Sequence, residues 1–77
     1  MHLFTDITIK DKKYHVQTED WGPAKLFLVS RVFVGGAVLK TVKTPYEEAL
    51  RGGPVNDAQA IARAMKIQHT RVLDSLK

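Results

Sequence analysis

Val29-Ser-Arg-Val-Phe-Val-Gly35-Gly36-Ala-Val-Leu-Lys-Thr-Val-Lys43 decides the fold. β-branched and aromatic residues run up to a glycine pair and resume beyond it. Such residues favour strands, and Gly-Gly supplies the two positive φ angles of a type I′ turn, the preferred two-residue hairpin connection. The stretch reads as a hairpin with strands over 25–34 and 37–43. Pairing about the turn sets Val34 against Ala37, Val32 against Leu39, Ser30 against Thr41 and Leu28 against Lys43 on one side, with Leu26 beyond. The other side pairs Phe33 with Val38, Arg31 with Lys40 and Val29 with Val42, with Phe27 beyond. Large apolar side chains stand on both sides. One side can be covered by a helix of the same chain, and the other asks for a partner.

Working toward the N-terminus, residues 3–10 and 13–19 alternate with period two. Thr5, Ile7 and Ile9 oppose Asp6, Thr8 and Lys10; Tyr14, Val16 and Thr18 oppose His15, Gln17 and Glu19. That is the pattern of half-buried strands. A turn at Asp11-Lys12 would set Ile9 opposite Tyr14 and Ile7 opposite Val16. Gly22-Pro23 breaks the chain before the next strand.

Working toward the C-terminus, Thr44-Pro45-Tyr46-Glu47 has the form of a capping box with Pro at the first helical position, predicting a short helix over 45–51. Gly52-Gly53-Pro54 ends it. Asn56 is the expected N-cap of a long helix over 57–76, about 30 Å at 1.5 Å per residue. Ala58, Ile61, Met65, Val72 and Leu76 form its apolar stripe, with Ala62, Gln68, His69 and Leu73 at the margins, and Ile67 outside. The expected architecture is a single α+β domain. It is a four-stranded antiparallel meander of two hairpins with a short helix and a long C-terminal helix packed on one sheet face.

Composition narrows the function. The chain has 77 residues, no cysteine and a net charge of +4. Disulfides and thiolate metal sites are therefore excluded. The charge is spread, with eight basic and six acidic residues in 1–53 and four and two in the remainder, so no basic arm is formed. No apolar run approaches the roughly 18 residues of a membrane span, and Met1-His-Leu-Phe-Thr-Asp6 lacks the basic start of a signal peptide. A cytoplasmic location with no membrane partner is the expectation.

Catalytic and metal patterns are not found. His2, His15 and His69 lie on different elements without ligand spacing. Ser30 and His15 could be neighbours on adjacent strands, but no strained elbow accompanies them. Glu19-Asp20 and Glu47-Glu48 read as loop and capping residues. Neither glycine pair sits in a phosphate-binding pattern. The expectation is no enzyme, no cofactor, no metal and no small-molecule substrate.

The positive reading is an interaction surface of Trp21, Phe27, Val29, Arg31, Phe33, Val38 and Lys40. Arg31 opposite Lys40 would be destabilising and calls for a carboxylate from a neighbouring strand or a partner. Trp21 reads either as an exposed hot spot or as an anchor tucked under the sheet edge. A protein partner, first of all a second copy forming a homodimer, fits this surface best. Single-stranded nucleic acid stacked on Phe27 and Phe33 is the alternative.

Three stretches, His15-Val-Gln-Thr-Glu-Asp20, Val32-Phe-Val-Gly-Gly-Ala-Val-Leu39 and Lys43-Thr-Pro-Tyr-Glu47, together resemble a set of short uncharacterised bacterial proteins and N-terminal segments. The resemblance spans roughly residues 4–50. It implies that Gln17, Glu19, Asp20 and Tyr46 belong to the fold's signature, and it implies no activity.

Overall fold

A computed structural model describes residues 2–77. Four strands, β1 (His2–Ile9), β2 (Lys12–Asp20), β3 (Phe27–Val34) and β4 (Ala37–Pro45), precede a short helix α1 (Tyr46–Ala49) and a long helix α2 (Ala58–Ser75). The strands form one antiparallel sheet in the order β1-β2-β3-β4. The architecture is therefore the expected α+β meander with the C-terminal helix on the sheet.

Both hairpin turns have two residues with positive φ: 50° and 66° at Lys10 and Asp11, 58° and 82° at Gly35 and Gly36. The first turn falls one residue earlier than the sequence pattern suggests, at Lys10-Asp11. Moving a turn by one residue shifts the pairing by two. Ile7 consequently faces Tyr14 and Thr5 faces Val16. A two-residue shift leaves every side chain on its expected face.

The second hairpin holds a larger correction. Phe33 pairs with Val38 as expected, but Val32 pairs with Lys40, so Leu39 is the extra residue of a bulge. Beyond it Arg31 faces Thr41, Ser30 faces Val42 and Val29 faces Lys43. A bulge inserts one residue and so exchanges the faces of everything past it. Lys40 and Val42 thus stand on the helix side, and Thr41 and Lys43 on the other. Val42 packs against the core of Val16, Val32 and Val72, which is where the bulge places it. The expected Arg31–Lys40 opposition does not exist. Leu39, expected against the helix, is 61% exposed, and Leu26, beyond the strand, is also exposed.

The helix caps also differ from expectation. Thr44 pairs with Leu28 in the sheet, β4 runs on through Pro45, and α1 starts without a side-chain cap. Asp57, not Asn56, caps α2: its carboxylate accepts from the backbone N–H of Gln59 and Ala60 at 3.0 and 3.1 Å.

The centre of α2 against the sheet is Met65, Gln68, His69 and Val72. Met65 joins Leu28 and Tyr46 in one apolar cluster, and Val72 joins Val16 and Val32 in another. Between the clusters runs a polar seam. His69 shares hydrogen bonds with Thr5 Oγ1 through Nε2 (2.9 Å) and with Thr18 Oγ1 through Nδ1 (2.7 Å). Thr18 also bonds Ser30 Oγ at 2.7 Å, and Gln68 Nε2 donates to Ser30 Oγ at 2.9 Å. Placing Gln68 and His69 at the stripe's margin was the wrong phase: the hydroxyls inside the sheet need these two polar partners. Burial holds the His69 pKa below its ordinary value. No buried polar side-chain atom lacks a partner among the described residues.

Candidate interaction surface on the open sheet face

The face turned away from α2 is laid out in rows across the strands. His2, Glu19, Val29 and Lys43 form one; Phe4, Gln17, Arg31 and Thr41 the next; Asp6, His15, Phe33 and Val38 the third. Alternation along each strand puts these side chains here. Aromatic rings run diagonally through the rows. The centroids of His2 and Phe4, Phe4 and His15, and His15 and Phe33 are 5.8, 5.9 and 5.8 Å apart, within the range of favourable ring pairs. Phe4 and Val38 are 59% and 54% exposed. A concavity of about 460 Å³ lies beside this row, lined by Asp6, Lys13, His15, Gln17, Phe33 and the Gly35-Gly36 turn.

The two carboxylates of the face, Asp6 and Glu19, are on β1 and β2, with Lys13 beside Asp6. His15 Nδ1 lies 2.7 Å from Asp6 Oδ1, and this bond holds the Asp6 carboxyl below the usual carboxylate range. Glu19 accepts from Gln17 Nε2 at 3.2 Å and from Trp21 Nε1 at 3.1 Å, with His2 Nδ1 3.8 Å away. Arg31 and Lys43 are on β3 and β4.

Trp21 is neither fully exposed nor tucked under an edge. It is half-buried, and its loop is closed by Trp21 N–H to Phe27 O at 3.0 Å and Lys25 N–H to Trp21 O at 3.2 Å. The indole is held by Glu19 and approached by Lys43, the two residues that flank Val29 in its row. Val29 is correspondingly only 2% exposed. Behind the loop, Tyr46 Oη donates to the Asp20 carboxylate, which also accepts from Gly22 N–H at 2.9 Å. Burial, with that carboxylate beside it, pushes the Tyr46 pKa up to about 12. A Cβ on Gly22 would run into the Tyr46 hydroxyl, so a larger residue there has to displace the Tyr46–Asp20 pair.

Of the seven residues expected on this surface, Phe27, Arg31, Phe33 and Val38 are on the open face beside Trp21. Val29 is on it but covered, and Lys40 is on the opposite side because of the bulge. Phe4, His2 and His15 were missed. Their signal was present: they occupy the outward positions of the two alternating N-terminal strands. Ser30 and His15, weighed as neighbours, are on opposite faces of the sheet. Among the described residues no three His, Asp or Glu side chains converge to hold a metal ion, and no helix is long and apolar enough to cross a membrane. Compared with known proteins, the chain matches no protein family, no curated protein and no solved structure.

Proposed function

We propose that the protein is a small non-catalytic interaction module, that the open sheet face is its docking surface, and that a second copy is the partner this face fits best. The observation that carries the reading is the series of rings His2, Phe4, His15 and Phe33 across the open face, with Phe4 and neighbouring Val38 more than half exposed. Apolar side chains arranged on one exposed face mark interfaces on small domains. The division of charge supports self-association. Two such sheets packed face to face about a two-fold axis parallel to the strands bring β1 and β2 of one copy over β4 and β3 of the other. The side bearing Asp6 and Glu19 then meets the side bearing Arg31 and Lys43. That is the self-complementarity a two-fold interface requires.

Sedimentation over a wide concentration range tests this. The mass of the wild type is expected to rise from 8.7 kDa toward twice that value. Phe33→Asp and Arg31→Glu are expected to stay monomeric with unchanged far-ultraviolet circular dichroism. A wild type that remains monomeric up to millimolar concentration rejects self-association. The same rings also favour a second reading, bases of single-stranded nucleic acid stacked on Phe4 and Phe33. Asp6, in the row of His15 and Phe33, opposes it, since a strand stacked on these rings would bring its phosphates past that carboxylate. It predicts oligonucleotide binding that weakens steeply with salt, and no signal in a low-salt titration removes it.

A further inference from the structure

We propose that the Trp21 end of the open face is an oxyanion site, in which Lys25, Arg31 and Lys43 hold a phosphate or carboxylate group. The three cations converge on a single indole. Lys25 Nζ, the Arg31 guanidinium carbon and Lys43 Nζ are 5.9, 5.5 and 5.1 Å from the ring centroid. Any two are thus at most about 11 Å apart, close to the roughly 10 Å screening length of 0.1 M salt. The ion pairs formed among the described residues are His2–Glu19, His15–Asp6 and Lys77–Asp74. None of them uses Lys25, Arg31 or Lys43. Glu19, the nearest carboxylate on the face, has one oxygen on Gln17 and the other on Trp21.

Cation–π attraction accounts for one cation over a ring face. That and the single charge of Glu19 on the indole N–H do not balance three like charges gathered round one ring. An added oxyanion does, because its bonds to cationic N–H donors are charge-assisted, shorter and about twice as strong as neutral ones. Arg31 is the residue suited to grip it with two donors, and the lysines close as point charges. Lys25 and Lys43 are exposed and Arg31 partly so, so the group enters from solvent.

All three cations belong to one protomer; because the face-to-face pair turns a second copy's carboxylates toward Arg31 and Lys43, the titration is run at a chain concentration at which sedimentation shows the monomer. Trp21 is the chain's one tryptophan, so its emission reports the site directly. Sodium phosphate and, in a second arm, a tetraglutamate peptide are titrated into the full chain at pH 7.5, with chloride holding ionic strength constant. A saturable emission change is expected, and the half-saturation concentration is expected to rise about tenfold in Arg31→Gln, the weight of one charge-assisted bond. Lys43→Gln should shift the same way, and Lys66→Gln on the outer side of α2 should not. Saturation by phosphate alone assigns phosphate groups, by the peptide alone carboxylates, and by both a general oxyanion site. A drift with both probes no larger than with chloride overturns the proposal. So do Lys25→Gln and Lys43→Gln variants that fold and titrate as wild type does.

Discussion

The two faces of one sheet are built from the same strands and come out opposite in character. The helix-covered face takes Val16, Leu28 and Val32 to 1% exposure or less and meets its polar needs inside, through Thr5, Thr18, Ser30, Gln68 and His69. The open face also carries large side chains, yet Phe4 and Val38 stay more than half exposed, and Lys25, Arg31 and Lys43 form no ion pair among the described residues. The contrast shows that one face of this small domain carries most of its packing. A chain of this size has little apolar surface to bury, so it commits one face to holding itself together and leaves the other available.

The largest expected effect breaks the covered face. Leu28→Ala removes the side chain packed on Met65 and Tyr46 and should cost about 2–5 kcal/mol, read as the urea midpoint. Phe4→Ala on the open face should change the same midpoint by less than about 1 kcal/mol. Equal losses would erase the distinction between the faces.

Deleting Leu39 tests the bulge itself. The deletion removes the extra residue and keeps Lys40 opposite Val32 and Val42 opposite Ser30, so partly buried Val42 stays against Val16, Val32 and Val72. The midpoint should move by less than about 1 kcal/mol, whereas Val42→Ala should cost about 1–3 kcal/mol. A deletion that costs more than Val42→Ala would mean that the bulge, and not the packing of Val42, holds this part of the core.

Thr18→Val probes the polar seam. The substitution keeps the shape and removes the hydroxyl that joins Ser30 to His69. His69 Nδ1 is left without a partner in a buried site while Ser30 keeps Gln68, at a cost of about 1–3 kcal/mol. The Thr8→Val change on the open side of β1, an exposed position, is expected to be silent.

The smallest effect is in pH. His69 in the unfolded chain titrates near its ordinary value of about 6.5, and burial lowers it in the fold. Between the two values the unfolded chain binds the extra proton, so stability rises with pH there. The contribution is complete above the unfolded value, shrinks as pH falls through the folded one, and then levels off. His69→Gln should flatten this part of a stability–pH curve measured by urea titration. A slope that persists assigns it to other groups.

Much of this was legible from local pattern. Alternation over 3–10, 13–19 and 25–34 placed Val16, Leu28 and Val32 inside and Phe33 and Arg31 outside, because a strand's two-residue period needs no tertiary information. The glycine pair located the second turn for the same kind of reason, a positive φ that glycine accepts freely. Even the misplaced first turn kept its faces, since the error was an even number of residues.

What the tertiary structure alone decided are the non-local features. One strand residue, Leu39, left unpaired costs little locally, and only the gain of packing Val42 on Val16, Val32 and Val72 selects that bulge. Helix periodicity gives a stripe but not its centre; the hydroxyls of Thr5, Thr18 and Ser30, brought together from three strands, chose His69 and Gln68. Trp21 is fixed by Glu19 beside it in sequence, but its cations come from its own loop and two further strands. Local periods determine which way a side chain points. Contacts between distant segments determine what it finds there.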